Sequence, residues 1–462
     1  MKKILLGVFI SVLFLSACSG TKGLAPADVR MPESYIPGLD SDSLSIADLK
    51  WWQFYTDSTL VAIMHVVLDN NRDILKAAAR INEMRELYGF DKANMFPSVG
   101  FQIQSSYETN KYDGAQTTKD PEYDLKFPIS WEFNLWGALS HAKKAGAARF
   151  AASIEDYRAM RMELIAETAS AYITYIALEN ELAIVRRTLQ TRKESLEKAR
   201  IRFEGGLTPE TIYQQAVVEY STTASLVPDL ERRVAAARNA LTLLMGKYPE
   251  DIFSHGNRLF DERLSERLPA GIPSDLLKRR PDLRAAELRL KAALEDVGVT
   301  YADRFPSLRI GFTPGFENDG LVDFFKSPFT YTLGSIMGSI FDFGRKKRKY
   351  KASKAVYEQS RLDYEKAVVG AFTEVNTSII AYNKVKESRI AKTDLREAAK
   401  KYVQLARLQY LGGTLNYIDV LDAQRRYFDA QIGVNNALRD EYLVLVSLYK
   451  SLGGGWEETT RK

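Results

Sequence analysis

ARLQYLGGTLNYIDVLDAQRR, Ala406–Arg426, carries a helical pattern into a double glycine and directly out into a second helical pattern. It predicts the sharp tip of a helical hairpin. Gly412 and Gly413 can take the positive φ that ends a helix, and Thr414 offers a hydroxyl to cap the next one. The stretch ARIRFEGGLTPETIYQQA, Ala199–Ala216, repeats the construction, with Gly205 and Gly206 followed by Thr208 and by Pro209 at an expected first helical position. Two tips of one design predict a duplicated architecture.

Working outward, the pattern from Gly137 to Glu204 is helical without a proline or an internal stop. At 1.5 Å per residue such a helix is roughly 100 Å long. Its apolar residues step by seven, with Leu164, Ala171, Leu178 and Val185 in one row and Tyr175, Leu182, Leu189, Leu196 and Phe203 in another. That period signals packing against other long helices. The return helix expected over Thr208–Met245 supplies one. The plan recurs as a long helix over Gly344–Leu411, the second tip and a return to Leu452, and the tips are 207 positions apart (412 minus 205).

Upstream of each long helix the period changes to two. A helix expected over Thr59–Asn94 stops at Phe96-Pro97-Ser98, because proline disfavours helical geometry in the residue before it. Val99, Phe101, Ile103 and Tyr107 then alternate with Gln102, Gln104, Ser106 and Glu108. After the loop KYDGAQTTKDP, Tyr123, Leu125, Phe127, Ile129, Trp131, Phe133 and Leu135 alternate with polar neighbours. The second copy opens a helix at Pro281-Asp282-Leu283 and ends it at Phe305-Pro306-Ser307, 209 positions on (305 minus 96). Strands are expected around Leu308, Ile310 and Phe312 and over Phe329–Phe341. A soluble half-buried hairpin shows the same alternation, so periodicity alone does not separate a core face from a lipid face. Strands of about ten to thirteen residues match a tilted membrane crossing, and Trp131 and Trp136 near the ends fit an interfacial girdle. Four crossing strands cannot close a barrel, since the smallest have about eight and an open edge in hydrocarbon leaves backbone groups unpaired. Several chains must then share one.

The 462 residues carry a net charge of +5, 45% hydrophobic and 11% aromatic side chains, which excludes a disordered chain and gives nucleic acid little to bind. Lys2 and Lys3 precede an apolar run, Ile4–Leu15, that reads as a secretory signal rather than a membrane anchor. Leu15-Ser16-Ala17-Cys18 resembles a bacterial lipoprotein signal, with cleavage before the cysteine and acylation on it. Cys18 is the sole cysteine, so disulfides and thiolate metal sites are excluded. The expected order is signal peptide 1–17, lipid anchor and extended tether 18–58, first repeat 59–247, connector 248–273, second repeat 274–452 and tail 453–462. The connector is irregular, with Pro249, Gly256, Pro269, Gly271 and Pro273.

Arg279-Arg280-Pro281-Asp282-Leu283-Arg284-Ala285-Ala286-Glu287, the two Phe-Pro-Ser strand entries and Tyr417-Ile418-Asp419-Val420-Leu421-Asp422-Ala423-Gln424 together resemble the TolC-like outer-membrane channel family, in its lipoprotein branch. The resemblance implies a mainly α fold with a small membrane β part, trimerising into a shared twelve-stranded β-barrel and an α-helical periplasmic tunnel. It also implies an exit channel for efflux or secretion in the outer membrane, with the tips docking onto a periplasmic adaptor and an inner-membrane pump or secretion transporter. Lipid contact would come through the strands and Cys18, and no cofactor is implied.

Asp419 and Asp422 share a helix face and sit where negative charge favours a helix start. Arg425 and Arg426 are ordinary partners at that spacing. A ring of such carboxylates, one set per protomer, also sets cation preference at a constriction. The resemblance places gate residues in this turn, which points to Asp419, with Asp422 and Leu415 behind it. The first tip has Ile212 and Gln215 at the corresponding positions, so the acidic feature belongs to one hairpin. Gly205, Gly206, Gly412 and Gly413 are the expected adaptor-docking tips. His65, His141 and His255 are the only histidines, and HExxH, GxSxG and glycine-rich phosphate loops are absent, which speaks against an enzyme. A periplasmic coiled-coil lipoprotein acting as adaptor or spacer is the competing reading. Four amphipathic strands oppose it, and the missing nucleophile and base oppose a lipid-anchored hydrolase.

Overall fold

A computed structural model of the protein describes residues 24–36, 45–111, 113–114, 116–249, 271 and 273–457. Cys18, the signal segment and most of the connector lie outside these residues. The chain orders as helices α1 (Ser58–Asn70) and α2 (Arg72–Ala93), strands β1 (Ser98–Val99), β2 (Gln102–Asn110), β3 (Thr118–Lys126) and β4 (Ile129–Phe133), then helices α3 (Ala138–Glu204) and α4 (Glu210–Leu244). The second half repeats this as α5 (Pro281–Ala302), β5 (Ser307–Asn318), β6 (Pro328–Met337), α6 (Arg345–Leu411) and α7 (Tyr417–Ser451). The copies match in length: α2 and α5 have 22 residues each, α3 and α6 have 67, and α4 and α7 have 35.

The duplication extends to the backbone. Glycines with positive φ precede the long helices at Gly137 and Gly344 and close the return helices at Gly246 and Gly453, each pair 207 apart (344 minus 137, 453 minus 246). Helices before the strands are offset by 209 (281 minus 72). The two-residue difference therefore falls in the strand hairpins.

The chain divides into two compact units, and each draws on both copies. The first contains described residues 24–29, 79–154 and 284–367; the second contains 30–36, 45–78, 155–249, 271, 273–283 and 368–457.

The first unit holds one antiparallel sheet. Strands β1 and β2 form one interrupted strand, as do β3 and β4, and the order is β1/β2, β3/β4, β5, β6. The break at Phe127 and Pro128 follows from the proline, which has no N–H for the ladder. The expected strand over Phe329–Phe341 stops at Met337, and the loop expected as far as Pro121 is already strand from Thr118. Ile129, Trp131 and Phe133 pair with Phe312, Ile310 and Leu308. These large side chains remain half-buried or exposed, whereas Asp124, on the opposite face, is 4% exposed. That inverts the arrangement of a soluble half-buried sheet.

In the second unit the expected seams bury Leu178, Leu182 and Val185 against Leu230, with Phe428 and Ile432 packed on them. One helix was expected over Thr59–Asn94, but Asn71 divides it. Its Oδ1 accepts from the amide of Asp73 at 2.8 Å and caps α2, while its Nδ2 donates to the Leu244 carbonyl at 2.9 Å. Part of the expected extended tether is also folded. Trp51 is fully buried, and Phe54 stacks on Tyr449 with ring centroids 4.0 Å apart. The prolines ahead of this segment suggested a tether, but the aromatic run Trp51–Tyr55 buries too much apolar surface to stay extended. Among the described residues no helix is long and apolar enough to cross a membrane.

Candidate functional site

Both hairpin tips close by the same pair of backbone bonds. The amides of Gly206 and Leu207 donate to the carbonyls of Phe203 and Arg202 at 2.9 and 2.8 Å, and those of Gly413 and Thr414 donate to Tyr410 and Gln409 at 3.1 and 3.0 Å. This helix stop needs one left-handed residue. Gly206 supplies it at φ +67° and Gly413 at φ +77°, whereas Gly205 and Gly412 lie outside the positive region. The double glycine therefore splits into one conformational requirement and one small residue.

Thr414 does not cap the helix that follows. Its hydroxyl donates back to the Gln409 carbonyl at 3.1 Å and closes the helix before it, while Asn416 is the N-cap of α7. At the first tip Pro209 stands at the N-cap, one place earlier than expected, and α4 begins at Glu210.

The expected gate residues separate into three roles. Asp422 is paired with Arg426 at 2.7 Å and faces Arg425 at 4.0 Å. Leu415 packs with Val403 and Tyr410 against Ala406, Val420 and Ala423, which makes it part of the second hairpin's own core. Asp419 is half-buried and its carboxylate has no hydrogen-bond or ion partner among the described residues. Of the three expected gate residues it is the one whose charge is left without a partner among the described residues.

Side chains that sequence reading passed over tie one hairpin to the other. Arg202 on α3 donates to the Tyr410 hydroxyl on α6 at 3.1 Å, and the Tyr410 and Tyr417 rings pack 5.5 Å apart. Burial pushes the Tyr417 hydroxyl above its ordinary pKa, and neighbouring Tyr410 and Glu219 add to the rise. Further along, Arg192 on α3 is 7% exposed. It pairs with Glu219 on α4 at 3.0 Å, bonds the Thr223 hydroxyl and lies 5.5 Å from the Phe428 ring on α7. Glu219 also faces Arg425 on α7 at 3.6 Å. A charged residue in a heptad helix reads as solvated until its partner is known. Here the partner is 27 residues away.

In the first unit, Glu122, Asp124 and Glu317 bring carboxylate oxygens within 4.8 Å of one another. Lys126 donates to Asp124 at 2.7 Å, so the cluster carries its own cation. The expected girdle tryptophans are anchored to the chain: the Trp131 indole donates to the Met95 carbonyl at 3.0 Å and the Trp136 indole to the Pro306 carbonyl at 2.6 Å. The Arg-Arg-Pro-Asp segment starts α5 at Pro281, as expected. Its second arginine does more. Arg280 donates to the Ser451 carbonyl at the end of α7, the position matching Leu244, just as Asn71 donates to Leu244 in the first copy.

The tips and sheet are built from turns, apolar strand faces and paired charges. Comparison with known proteins agrees with a channel. A family model described as outer membrane efflux protein matches residues 63–247 and 272–454. The chain is 30% identical to a probable efflux pump outer membrane protein, TtgC of Pseudomonas putida, over 100% of this chain and 97% of that protein. It is 27% identical to the probable outer membrane lipoprotein SilC of Salmonella typhimurium, over 97% of this chain and 98% of the other. Among solved structures, the outer-membrane channel OprN superposes with a TM-score of 0.84 at 27% identity, covering 94% of this chain and 99% of OprN. With the duplicated hairpins, the sheet of exposed apolar strands and these matches in agreement, the chain belongs to the outer membrane efflux protein family and is an outer-membrane efflux channel.

Proposed function

We propose that three copies of the chain close one twelve-stranded barrel, and that their hairpin tips carry the gate and dock onto the periplasmic adaptor of a tripartite efflux pump. The observation that supports this best is the sheet. Its outer strands, β1/β2 and β6, each lack a partner along one edge among the described residues, while its large apolar side chains are exposed. Open edges are not tolerated in hydrocarbon, so the sheet must close on further copies. Relatives named as efflux pump proteins favour efflux over protein secretion. Native mass spectrometry of the detergent-extracted full chain should give three protomers, and a monomer would end this reading. The lipoprotein name of SilC supports acylation of Cys18, and the mass of the N-terminal peptide reads it directly.

Within this reading Asp419 is the gate carboxylate, because Asp422 is neutralised by its arginines and Leu415 is engaged in the hairpin core. Three unpaired carboxylates brought together at the tips repel one another and hold cations. Asp419→Ala should change single-channel conductance in planar bilayers at least twofold and weaken block by multivalent cations. Conductance and block equal to wild type would remove Asp419 from the gate.

Gly206 and Gly413 shape the docking tips. Replacing both with alanine forces side chains into positive φ, which costs roughly 1–2 kcal/mol per site and distorts the turn. Drug export in cells should fall to the level of a knockout while the assembled channel remains. Replacing Gly412 alone should be milder, since a Cβ there meets the Leu408 carbonyl at an ordinary 3.5 Å, whereas a Cβ at Gly205 meets the Ile201 carbonyl at a tighter 3.3 Å. Full export by the Gly206 and Gly413 double variant would count against docking through these turns.

A further inference from the structure

The two copies inside one chain share one interface, and the same geometry must recur where the second copy of one chain meets the first copy of the next. Within each copy the strand hairpin has the same register. Ser98 and Val99 pair with Ser130 and Ile129, and their counterparts Ser307 and Leu308 pair with Met337 and Ile336. First strands correspond at an offset of 209 and second strands at 207 (307 minus 98, 337 minus 130). Between the copies, β3 and β4 pair with β5 in a single unbroken register, from Tyr123 opposite Asn318 to Phe133 opposite Leu308.

That internal junction has a matching open one. The free edge of β6 corresponds to the edge β4 gives to β5, and the free edge of β1/β2 corresponds to the edge β5 gives to β4. Carrying Ile129 opposite Phe312 and Phe133 opposite Leu308 through the two offsets gives Ile336 opposite Ile103 and Ile340 opposite Val99. All four of these side chains are exposed large apolar residues; Val99, Ile103 and Ile336 lie on strands, and Ile340 stands three residues past the end of β6.

A second observation falls on the same junction. Phe343 is the one non-glycine described residue with positive φ, at +53°, a conformation rare for bulky residues. Its ring is 85% exposed and packs on Phe341 with centroids 4.5 Å apart. The equivalent residue of the first copy, Trp136, stacks on Phe305 of the second copy at 4.8 Å. The equivalent of Phe305 is Phe96, which is itself exposed.

We infer that β6 pairs with the first strand of a second copy of this chain in this one register, Ile336 opposite the partner subunit's Ile103 and Ile340 opposite the partner subunit's Val99, with Phe343 stacked on the partner subunit's Phe96. This rests on the trimeric reading and adds to it which residues meet. The strand then continues past Met337 as far as Ile340, and the strained Phe343 finds the aromatic neighbour that Trp136 already has. Unlike the internal junction, the one between copies has no ion pair in place of Glu132 with Arg309, since Ser339 and Gly100 stand there. Apolar pairs and the backbone ladder hold it.

Cysteine cross-linking of the full chain in outer-membrane vesicles tests the register, because directly opposed strand residues bring Cβ atoms within disulfide reach. Ile336→Cys combined with Ile103→Cys should oxidise to a covalent trimer in the majority of the protein. Ile336→Cys with Phe101→Cys, or with Ser105→Cys, should give at least fivefold less. Native mass spectrometry of each variant separates the two levels of the claim. A trimer in which a shifted pair cross-links as well as the predicted one overturns the register, whereas a monomer overturns the trimer itself. Phe343→Ala should lower the heat-dissociation midpoint of the trimer by several degrees while Phe343→Trp preserves it, and equal midpoints for all three would refute the aromatic contact.

Discussion

Glu219→Ala is expected to destabilise the helical hairpins by about 3–5 kcal/mol, because it leaves a buried guanidinium without its counter-charge. Arg192 reaches Glu219 at 3.0 Å, donates to the Glu219 backbone carbonyl at 2.9 Å, and sits among Thr223 and the Phe428 ring. Burial pulls its pKa below the ordinary arginine value, and Glu219 is the first of the carboxylates that oppose the pull. An arginine does not escape by losing its proton, so the penalty falls on packing. The same substitution frees Arg425, 3.6 Å from Glu219, and so loosens the tie between α4 and α7. Thermal unfolding followed by far-ultraviolet circular dichroism gives the magnitude, and hydrogen exchange should speed up along α3, α4 and the start of α7. Adding Arg192→Met to Glu219→Ala should recover most of the loss, since an apolar side chain of similar length replaces the stranded charge. Additive effects of the two substitutions would show that the pair is not the source.

Arg280→Ala should cost about 3 kcal/mol and reduce the yield of assembled channel. Arg280 is 6% exposed and contributes four bonds: two to the Asp282 carboxylate at 2.8 and 3.1 Å, one to Glu374 at 2.7 Å and one to the Ser451 carbonyl at 3.1 Å. Burial alone would lower its pKa, but hydrogen bonds and charge from Asp282 and Glu374 outweigh burial and raise it. Asp282 and Glu374 are 40% and 56% exposed, so water can replace the arginine at the carboxylates. The carbonyl of Ser451 is the group left without a donor inside the fold. Arg280→Lys should be intermediate, because an ammonium cannot satisfy a carboxylate in fork geometry and reach Ser451 at once. The counterpart Asn71→Ala loses a helix cap and one bond to Leu244 and should cost nearer 1–2 kcal/mol. Denaturant midpoints of the three variants test the order, and a loss below 1 kcal/mol for Arg280→Ala would contradict it.

The largest features of the fold were legible because they are written in local periodicity. The glycine tips, the long helices and the alternating strands each depend on residues within a few positions of one another, and the repeat offset follows from comparing them. The helix break at Asn71 was not legible, because an asparagine in a helical pattern is a weak signal and its decisive partner, the Leu244 carbonyl, is 173 residues away. Thr414 serves the helix before it rather than the one after for a related reason. A hydroxyl beside a turn can serve either neighbour, and only the backbone path shows that it reaches back to Gln409.

The tip from Ala406 to Arg426 shows the division most clearly. Sequence by itself determined that the chain turns there, that it does so twice, and that only one turn is acidic, since glycine conformation and residue identity are properties of the chain. Tertiary structure decided what those residues are free to do. Asp422 is neutralised by Arg426, Leu415 is consumed by the hairpin core, Glu219 is committed to Arg192, and Asp419 alone keeps an unpaired carboxylate. The spacing of Asp419 and Asp422 on one helix treats them alike. Electrostatic compensation depends on which cations and apolar groups arrive from the rest of the fold, and no local pattern encodes that.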